Sequence, residues 1–271
     1  ITDLEKEAAK KIAEMFRKKK EEEEREKNLE FDFIKPRFPK KLNGKPYQLK
    51  PHQLTALSKW KENNHKGILA HATGSGKTIT AIHGVVELSK EQRVVLVVAV
   101  PYRVLAEQWV EVLELFNISP IKCWSPNVWR TDLTSQVNNF NLEIKDFLAV
   151  VVVNASLKKS VFQDQLKKIS SENLVFVGDE CHHHGEKGLD SKLPEANYRL
   201  GLSATPWSKN ETDLKKKLKS YYDRRVDKYS LEMAMDDDVL TPYLYHIYPV
   251  AFNSEEAEVY EELSKNISRE Y

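Results

Sequence analysis

The sequence predicts an α/β fold of the doubly wound kind, a parallel sheet with helices on both faces, and three observations predict it. Short apolar, β-branched runs recur at 67–70, 94–100, 149–153, 174–177 and 199–202, the pattern of strands buried on both faces. Helix-like stretches separate them at 77–89, 102–116, 133–144 and 157–169, and such alternation packs as a parallel sheet between helix layers. A glycine-containing loop joins the first strand to the first of those helices, as in the βα units of this class.

Taken in order, residues 1–27 place Leu4, Ala8, Ile12, Met15 and Phe16 on one helical stripe, which dissolves into the charge run RKKKEEEEREK. With no face to bury, residues 17–27 read as a solvated helix or linker. From Asn28 to Pro51 the composition shifts to Phe, Lys and Pro, which predicts an extended connector. The compact domain is expected to start near Tyr47. Neither a repeat nor a second low-complexity tract is visible.

Composition excludes several classes. The 42 Lys and Arg against 41 Asp and Glu leave a net charge of +1, so no bulk footprint for nucleic acid or anionic membrane exists and any polyanion site must be local. The apolar runs 94–100 and 147–153 fall far short of the about 20 residues that span a bilayer, which predicts no membrane partner. Two Cys and a charged start argue against a disulfide framework or a signal peptide and for the cytoplasm. The chain opens on Ile1 and stops at Tyr271 inside a helix-like pattern, as a piece of a longer protein would.

The loop after GILA reads HATGSGKT, residues 71–78, and runs into the helical ITAIHGVVEL. Gly74 and Gly76 let the backbone turn successive N–H groups toward phosphate oxygens, at the positive end of the new helix. Lys77 supplies a mobile cation for the β and γ phosphates, and the Thr78 hydroxyl is placed to ligate Mg²⁺. The general phosphate-loop pattern has Gly where this chain has His71. The bland alternative is a Gly-Ser turn that happens to precede a Lys. Strand and helix on either side favour nucleotide binding.

LVFVGDECHH, residues 174–183, sets two carboxylates directly after a strand. Strand C-terminal ends form the ligand crevice of open α/β sheets, so Asp179 and Glu180 are expected to face the same site as Lys77. Asp179 would hold Mg²⁺ through its water shell, and Glu180 would orient or deprotonate the water that attacks the γ phosphate. Cys181, His182, His183 and His184 are also zinc-ligand types. Consecutive ligands on one short segment converge poorly on a tetrahedral centre, and no pair at finger spacing lies elsewhere.

ATGSGKT at 72–78, DECH at 179–182 and LSATP at 202–206, in that order and each at an expected strand end, resemble the motifs of the superfamily 2 DExD/H-box helicases and translocases. The resemblance implies a RecA-like P-loop NTPase lobe with ATP and Mg²⁺ as cofactors. In that family the position of His71 is usually not glycine. LKPHQLTAL at 49–57 is similar to the adenine-reading Q motif, so the implied nucleotide set is Gln53, Thr73, Gly74, Ser75, Gly76, Lys77 and Thr78. An amide suits adenine because it accepts from N6 and donates to N7. VPYRVLAEQW at 100–109 resembles a motif that touches the nucleic-acid backbone, implying Arg103 and Gln108, although Gln108 and Trp109 could equally be helix packing. VVNASL at 152–157 implies Asn154 and Ser156 as phosphate contacts. In LSATP, Ser203 and Thr205 are the implied couplers, through hydrogen bonds to the acidic segment at His182; a SAT triplet could otherwise simply cap a strand.

The resemblance runs from about Tyr47 to Tyr260, and residues 229–250 are similar to the exit segment of the restriction, repair and phage-defence DNA translocases rather than the RNA helicases. It implies three regions: a charged helical segment and connector at 1–46, the first ATP-binding lobe at 47–250, and the start of a linker at 251–271. The partners implied are nucleic acid, DNA in preference to RNA, held by its backbone; a second RecA-like lobe; and a nuclease or defence complex. No Gln-x-x-Gly-Arg-x-x-Arg pattern follows LSATP, so the second lobe and its arginines are expected to lie outside this chain. Loss of such an arginine costs on the order of 10³ to 10⁵ in rate in related phosphoryl-transfer sites, so the chain alone is expected to bind ATP and hydrolyse it weakly. The expected activity is an ATP-dependent DNA helicase or translocase. The alternatives are a translocase that powers a nuclease or remodels protein–DNA complexes without unwinding, and an ATP-sensing docking module.

Overall fold

Among the described residues seven strands make one all-parallel sheet, in the spatial order 121–123, 147–153, 94–100, 174–179, 198–203, 66–71 and 225–229. The computed structural model describes residues 35–270 except 43, 126–127, 209, 211, 243–245 and 247, and at 266–270 the backbone alone. The stripe and charge run expected over 1–27 lie outside the described residues. In chain order the elements are a small antiparallel ladder of β1 (Lys41–Leu42) and β2 (Lys45–Pro46), α1 (Pro51–Glu62), β3 (Lys66–His71), α2 (Lys77–Glu91), β4 (Val94–Val100), α3 (Arg103–Leu115) and β5 (Ile121–Cys123). There follow α4 (Arg130–Asn141), β6 (Phe147–Val153), α5 (Asn154–Leu157), α6 (Ser160–Leu166), β7 (Leu174–Asp179) and two 3₁₀ turns, Cys181–Gly185 and Asp190–Lys192. β8 (Tyr198–Ser203), α7 (Thr212–Tyr222), β9 (Arg225–Tyr229), α8 (Leu231–Asp236) and α9 (Ser254–Glu270) complete the chain.

The period-2 alternation of strands splits the core into two layers. Leu96, Val98 and Val100 of β4 and Ala149 and Val151 of β6 face one side, against Trp60, Ile82, Val85, Trp109 and Leu113 of α1, α2 and α3. Val95, Val97 and Ala99, with Val150 and Val152, face the other, against Val137, Phe140, Phe162 and Tyr222. Both faces being covered, the central strands read as unbroken apolar runs, which is why sequence locates them.

Edge and polar elements escape that reading. β5 is only three residues, IKC, and β9 is RVDKY, with little apolar signal. Each sits at an edge, where one neighbour suffices. The stretch expected as one helix over 157–169 is broken at Lys158–Lys159 into α5 and α6. Residues 35–50 run along the domain: Phe38 stacks on His83 at 4.3 Å, Lys90 lies 4.2 Å over the Phe38 ring, and the Tyr47 hydroxyl meets His83 Nδ1 at 2.8 Å.

The chain divides into two units, one ending at Leu240 and the other running from Thr241. The second is built on α9, whose start is closed reciprocally: Glu256 N–H donates to Asn253 Oδ1 at 2.9 Å and Asn253 N–H to Glu256 Oε2 at 3.0 Å, a capping box. Among the described residues no helix is long and apolar enough to cross a membrane.

Candidate nucleotide-binding site

Because every strand of the sheet is parallel, all C-terminal ends open on one edge, and β7, β8 and β3 are neighbours there. The register pairs Ala70 with Ser203 and Asp179 with Leu202. The phosphate-type loop, the acidic pair and the LSATP segment, far apart in sequence, therefore emerge side by side.

The loop leaves β3 at His71. Gly74 and Gly76 take left-handed φ values of 83° and 89°, which L side chains adopt at a cost. A Cβ on Gly76 would sit 2.6 Å from Gln53 Nε2. Lys77 opens α2, and its Nζ donates to His71 O at 2.9 Å and Ala72 O at 3.3 Å, across the inside of the loop. Burial lowers the Lys77 pKa, while the carboxylates of Glu180 and Asp179 pull it back up. Ser75 is buried and its hydroxyl has no hydrogen-bond partner. Thr73 is exposed at the loop's crest and Thr78 half-buried in the first turn of α2.

Gln53 faces the loop. Its Oε1 accepts Lys50 N–H at 2.8 Å and its Nε2 donates to Gly76 O at 3.1 Å, so it closes the start of α1 and holds the second loop glycine. One lone pair and one N–H of the amide remain for an adenine edge. His52 adds a second tie, with Nε2 at 2.9 Å from Ser75 O and its ring stacked 4.0 Å from Tyr229. Below the loop, fully buried His71 meets Asp227 Oδ2 at 2.8 Å, and Lys59 Nζ meets Asp227 Oδ1 at 2.6 Å. Burial would raise the Asp227 pKa, but the bonds from His71 and Lys59 prevail and hold it below 3.8.

Asp179 ends β7. Its Oδ1 accepts Glu180 N–H at 3.0 Å and its Oδ2 accepts the Trp109 indole N–H at 2.8 Å. Burial raises its pKa against the Trp109 bond, which lowers it. Glu180, at φ 44°, turns its carboxylate to the LSATP segment. Ser203 Oγ donates to Glu180 Oε2 at 3.3 Å, His182 Nδ1 lies 3.2 Å from Ser203 Oγ and 3.4 Å from Glu180 Oε2, and Thr205 N–H donates to Ser203 Oγ at 3.2 Å. Ser203, His182 and Glu180 form a triangle, which Thr205 joins through its backbone.

The His-rich run does not converge. His182 turns to Ser203, His183 Nδ1 bonds Glu186 Oε1 at 2.5 Å, His184 Nδ1 bonds the Tyr222 hydroxyl at 2.7 Å, and Cys181 is buried in the core. A 3₁₀ turn has three residues per turn, so Cys181 and His184 point inward together while the two between them point elsewhere.

The expected nucleic-acid residues divide. Arg103 and Gln108 are exposed on α3, Arg103 Nε paired with Glu107 Oε1 at 2.8 Å. Asn154 and Ser156 are buried at the end of β6 and start of α5, Asn154 8% and Ser156 2% exposed, and Asn154 Oδ1 has no hydrogen-bond partner. Sequence reasoning misses Trp109, His52, His71 and Asp227 as members of the site. The only cue is the pair QW at 108–109, which leaves packing and function open.

These residues fit a magnesium nucleotide: a loop cradle that a Cβ at Gly76 would obstruct, the orphaned Ser75 hydroxyl, a cation in Lys77, and oxygen donors in Thr78 and Asp179 of the kind Mg²⁺ takes.

The profile of the type III restriction enzyme res subunit family (ResIII) matches residues 46–208. A protein of Sulfolobus islandicus filamentous virus (isolate Iceland/Hveragerdi), provisionally named helicase 22, is 26% identical over 169 residues, covering 60% of this chain and 29% of that protein. The chain thus spans less than a third of that relative's length. The fold is similar to that of the ATP-dependent Type ISP restriction-modification enzyme LlaBIII bound to DNA, with a TM-score of 0.58 and 20% identity, over 74% of this chain and 16% of that one. It is also similar to a nuclease-deletion mutant of LlaGI with a DNA substrate mimic (TM-score 0.55, 18% identity, 83% and 23% covered) and to the Hef helicase domain of Pyrococcus furiosus (0.50, 17%, 67% and 38%).

Proposed function

From the premise that this chain belongs to the ResIII family and carries a superfamily 2 RecA-like helicase domain, we propose that it is the ATP-binding lobe of a motor that moves on DNA. The observation that carries this is the placement of the left-handed glycine loop with Lys77, of Asp179 and of the Glu180–His182–Ser203 triangle at the C-terminal ends of the neighbouring strands β3, β7 and β8.

Magnesium ATP, when bound, supplies a γ phosphoryl group open to in-line attack by water. This chain's residues have separable tasks around it. Lys77 exchanges the carbonyls of His71 and Ala72 for phosphate oxygens and neutralises their charge. Thr78 and Asp179 would hold the metal and the backbone from Thr73 to Gly76 would enclose the phosphates, while Gln53 keeps Gly76 in place and would offer its remaining amide valences to adenine. Glu180 has Oε2 engaged by Ser203 and His182, leaving Oε1 to orient the attacking water and take its proton. Through that triangle a change at Glu180 reaches the LSATP segment, the means by which nucleotide state is passed on. Exposed Arg103 and Gln108 are the DNA-backbone contacts, which position without reading sequence.

Family membership favours translocation that serves restriction over strand separation for its own sake, and a displaced-triplex assay against a strand-displacement assay on the full-length protein separates the two. The nucleotide reading itself is tested by binding of a fluorescent ATP analogue with Mg²⁺. Lys77→Ala removes charge-assisted contacts of about 1.5–3 kcal/mol, roughly a 10- to 150-fold loss in affinity. Equal binding by the wild type and the variant would refute it.

A further inference from the structure

Buried indoles need a partner for their single N–H. Trp60, on the same face of the sheet, finds an ordinary one, the carbonyl of Arg199 at 3.0 Å. Trp109 does not: its Nε1 donates to Asp179 Oδ2 at 2.8 Å, and both residues are buried, Trp109 to 2% exposure. From α3, 70 residues earlier in the chain, a neutral donor has been brought to the acid at the end of β7.

The geometry is specific to the carboxylate. Oδ1 accepts the N–H of Glu180 at 3.0 Å, so with Trp109 on Oδ2 each oxygen has one protein donor and rotation of the carboxylate about its own axis is stopped. One lone pair on each oxygen stays open. Indole has no acceptor, so the bond cannot reverse, and it favours the ionised, acceptor-only form of Asp179 that a metal shell requires. A phenyl ring would occupy most of the same core space but could not do this.

We propose that Trp109 is the positioning residue of the metal site: it holds Asp179 in the orientation in which that carboxylate receives Mg²⁺ or its water shell. This rests on the nucleotide reading above. Outer-shell partners of metal-binding groups typically contribute 10- to 100-fold in metal affinity, and Trp109 has the place of one.

The test is a Mg²⁺ titration of fluorescent ATP-analogue binding, with the same binding measured in EDTA, for the wild type, Trp109→Phe, and a protein in which the Trp109 indole is replaced by benzothiophene, equal in shape but lacking the N–H. The expected result is a loss of about 10-fold or more in apparent Mg²⁺ affinity in both variants, with EDTA binding of the benzothiophene protein near the wild type. Wild-type metal dependence in the benzothiophene protein overturns the proposal, and so does an equal loss with and without metal, which is the mark of a packing role. If the wild type binds no nucleotide in either condition, the nucleotide reading fails and takes this inference with it. Should the Phe variant fold poorly, the isosteric protein decides alone.

Discussion

Gly76→Ala tests whether the phosphate-type loop and α1 are one mechanical unit. The methyl group meets two obstacles. The first is the backbone, held at φ 89°, where an L residue costs about 1–2 kcal/mol. The second is Gln53, whose Nε2 would lie 2.6 Å from the new Cβ. The amide must swing away, losing its bonds to Gly76 O and Lys50 N, about 1 kcal/mol each. The single variant should therefore lose about 3–4 kcal/mol and Gln53→Ala about 2 kcal/mol, the latter through the same two bonds. The double variant should lose about 3–4 kcal/mol, short of the sum by about 2, because the bonds can be lost only once. Equilibrium urea unfolding of the four proteins in the cycle measures this. Additivity within about 0.5 kcal/mol would show that the two residues do not share these contacts and would refute the reasoning.

Two further substitutions probe buried polar contacts, one beneath the loop and one behind β7. Asp227→Ala strips Lys59 and buried His71 of their common acceptor and should cost about 3 kcal/mol at pH 7 by urea unfolding. Since the Asp227 pKa is held below 3.8, that contribution is fully present above 3.8 and is lost as pH falls through the lowered folded value; a wild-type midpoint in the variant at pH 7 would sink the claim. Burial drives the pKa of His184 from 6.5 down to about 3, so between those pH values the unfolded chain takes a proton that the folded one refuses, and stability falls as pH falls by up to about 1.4 kcal/mol per pH unit. His184→Gln should flatten that slope, and an unchanged slope would exclude His184 as its source.

The sequence is most legible where local pattern and tertiary role coincide. Lys77, Asp179 and Ser203 lie at the ends of buried strands or just beyond them, and buried parallel strands announce themselves as apolar runs, so pattern alone places those ends. Contacts between elements carry no such signal. Nothing in RVDKY marks Asp227 as the acceptor for His71, 156 residues away, because an edge strand with one partner needs no continuous apolar pattern. Gln53 shows a subtler limit. Its residue type suits adenine, but its place three residues after Lys50 also suits reaching back to the Lys50 N–H, and from there the amide faces Gly76. Asn154 and Ser156 are singled out by motif position alone, and both are buried where β6 passes into α5.

Near-neutral composition argues at first against a polyanion ligand, and the geometry explains why the objection does not bind. Lys77 makes hydrogen bonds with two carbonyls of its own loop, each assisted by the ammonium charge alone and contributing about 1.5–3 kcal/mol. A neutral ligand offering similar acceptors has nothing to gain by displacing them. Phosphate oxygens would add a full opposite charge to the ammonium's bonds, and such a ligand could draw the amine off the loop. That exchange would leave His71 O and Ala72 O without Nζ, yet the bonds of the His71 ring to Asp227 and of Ala72 N–H to Tyr229 O at 2.8 Å do not involve Nζ, so they can hold the backbone that supplies the resting contacts. Selectivity for a multiply charged anion would then come from one lysine and its anchored loop, and a net charge of +1 over the whole chain places no limit on it.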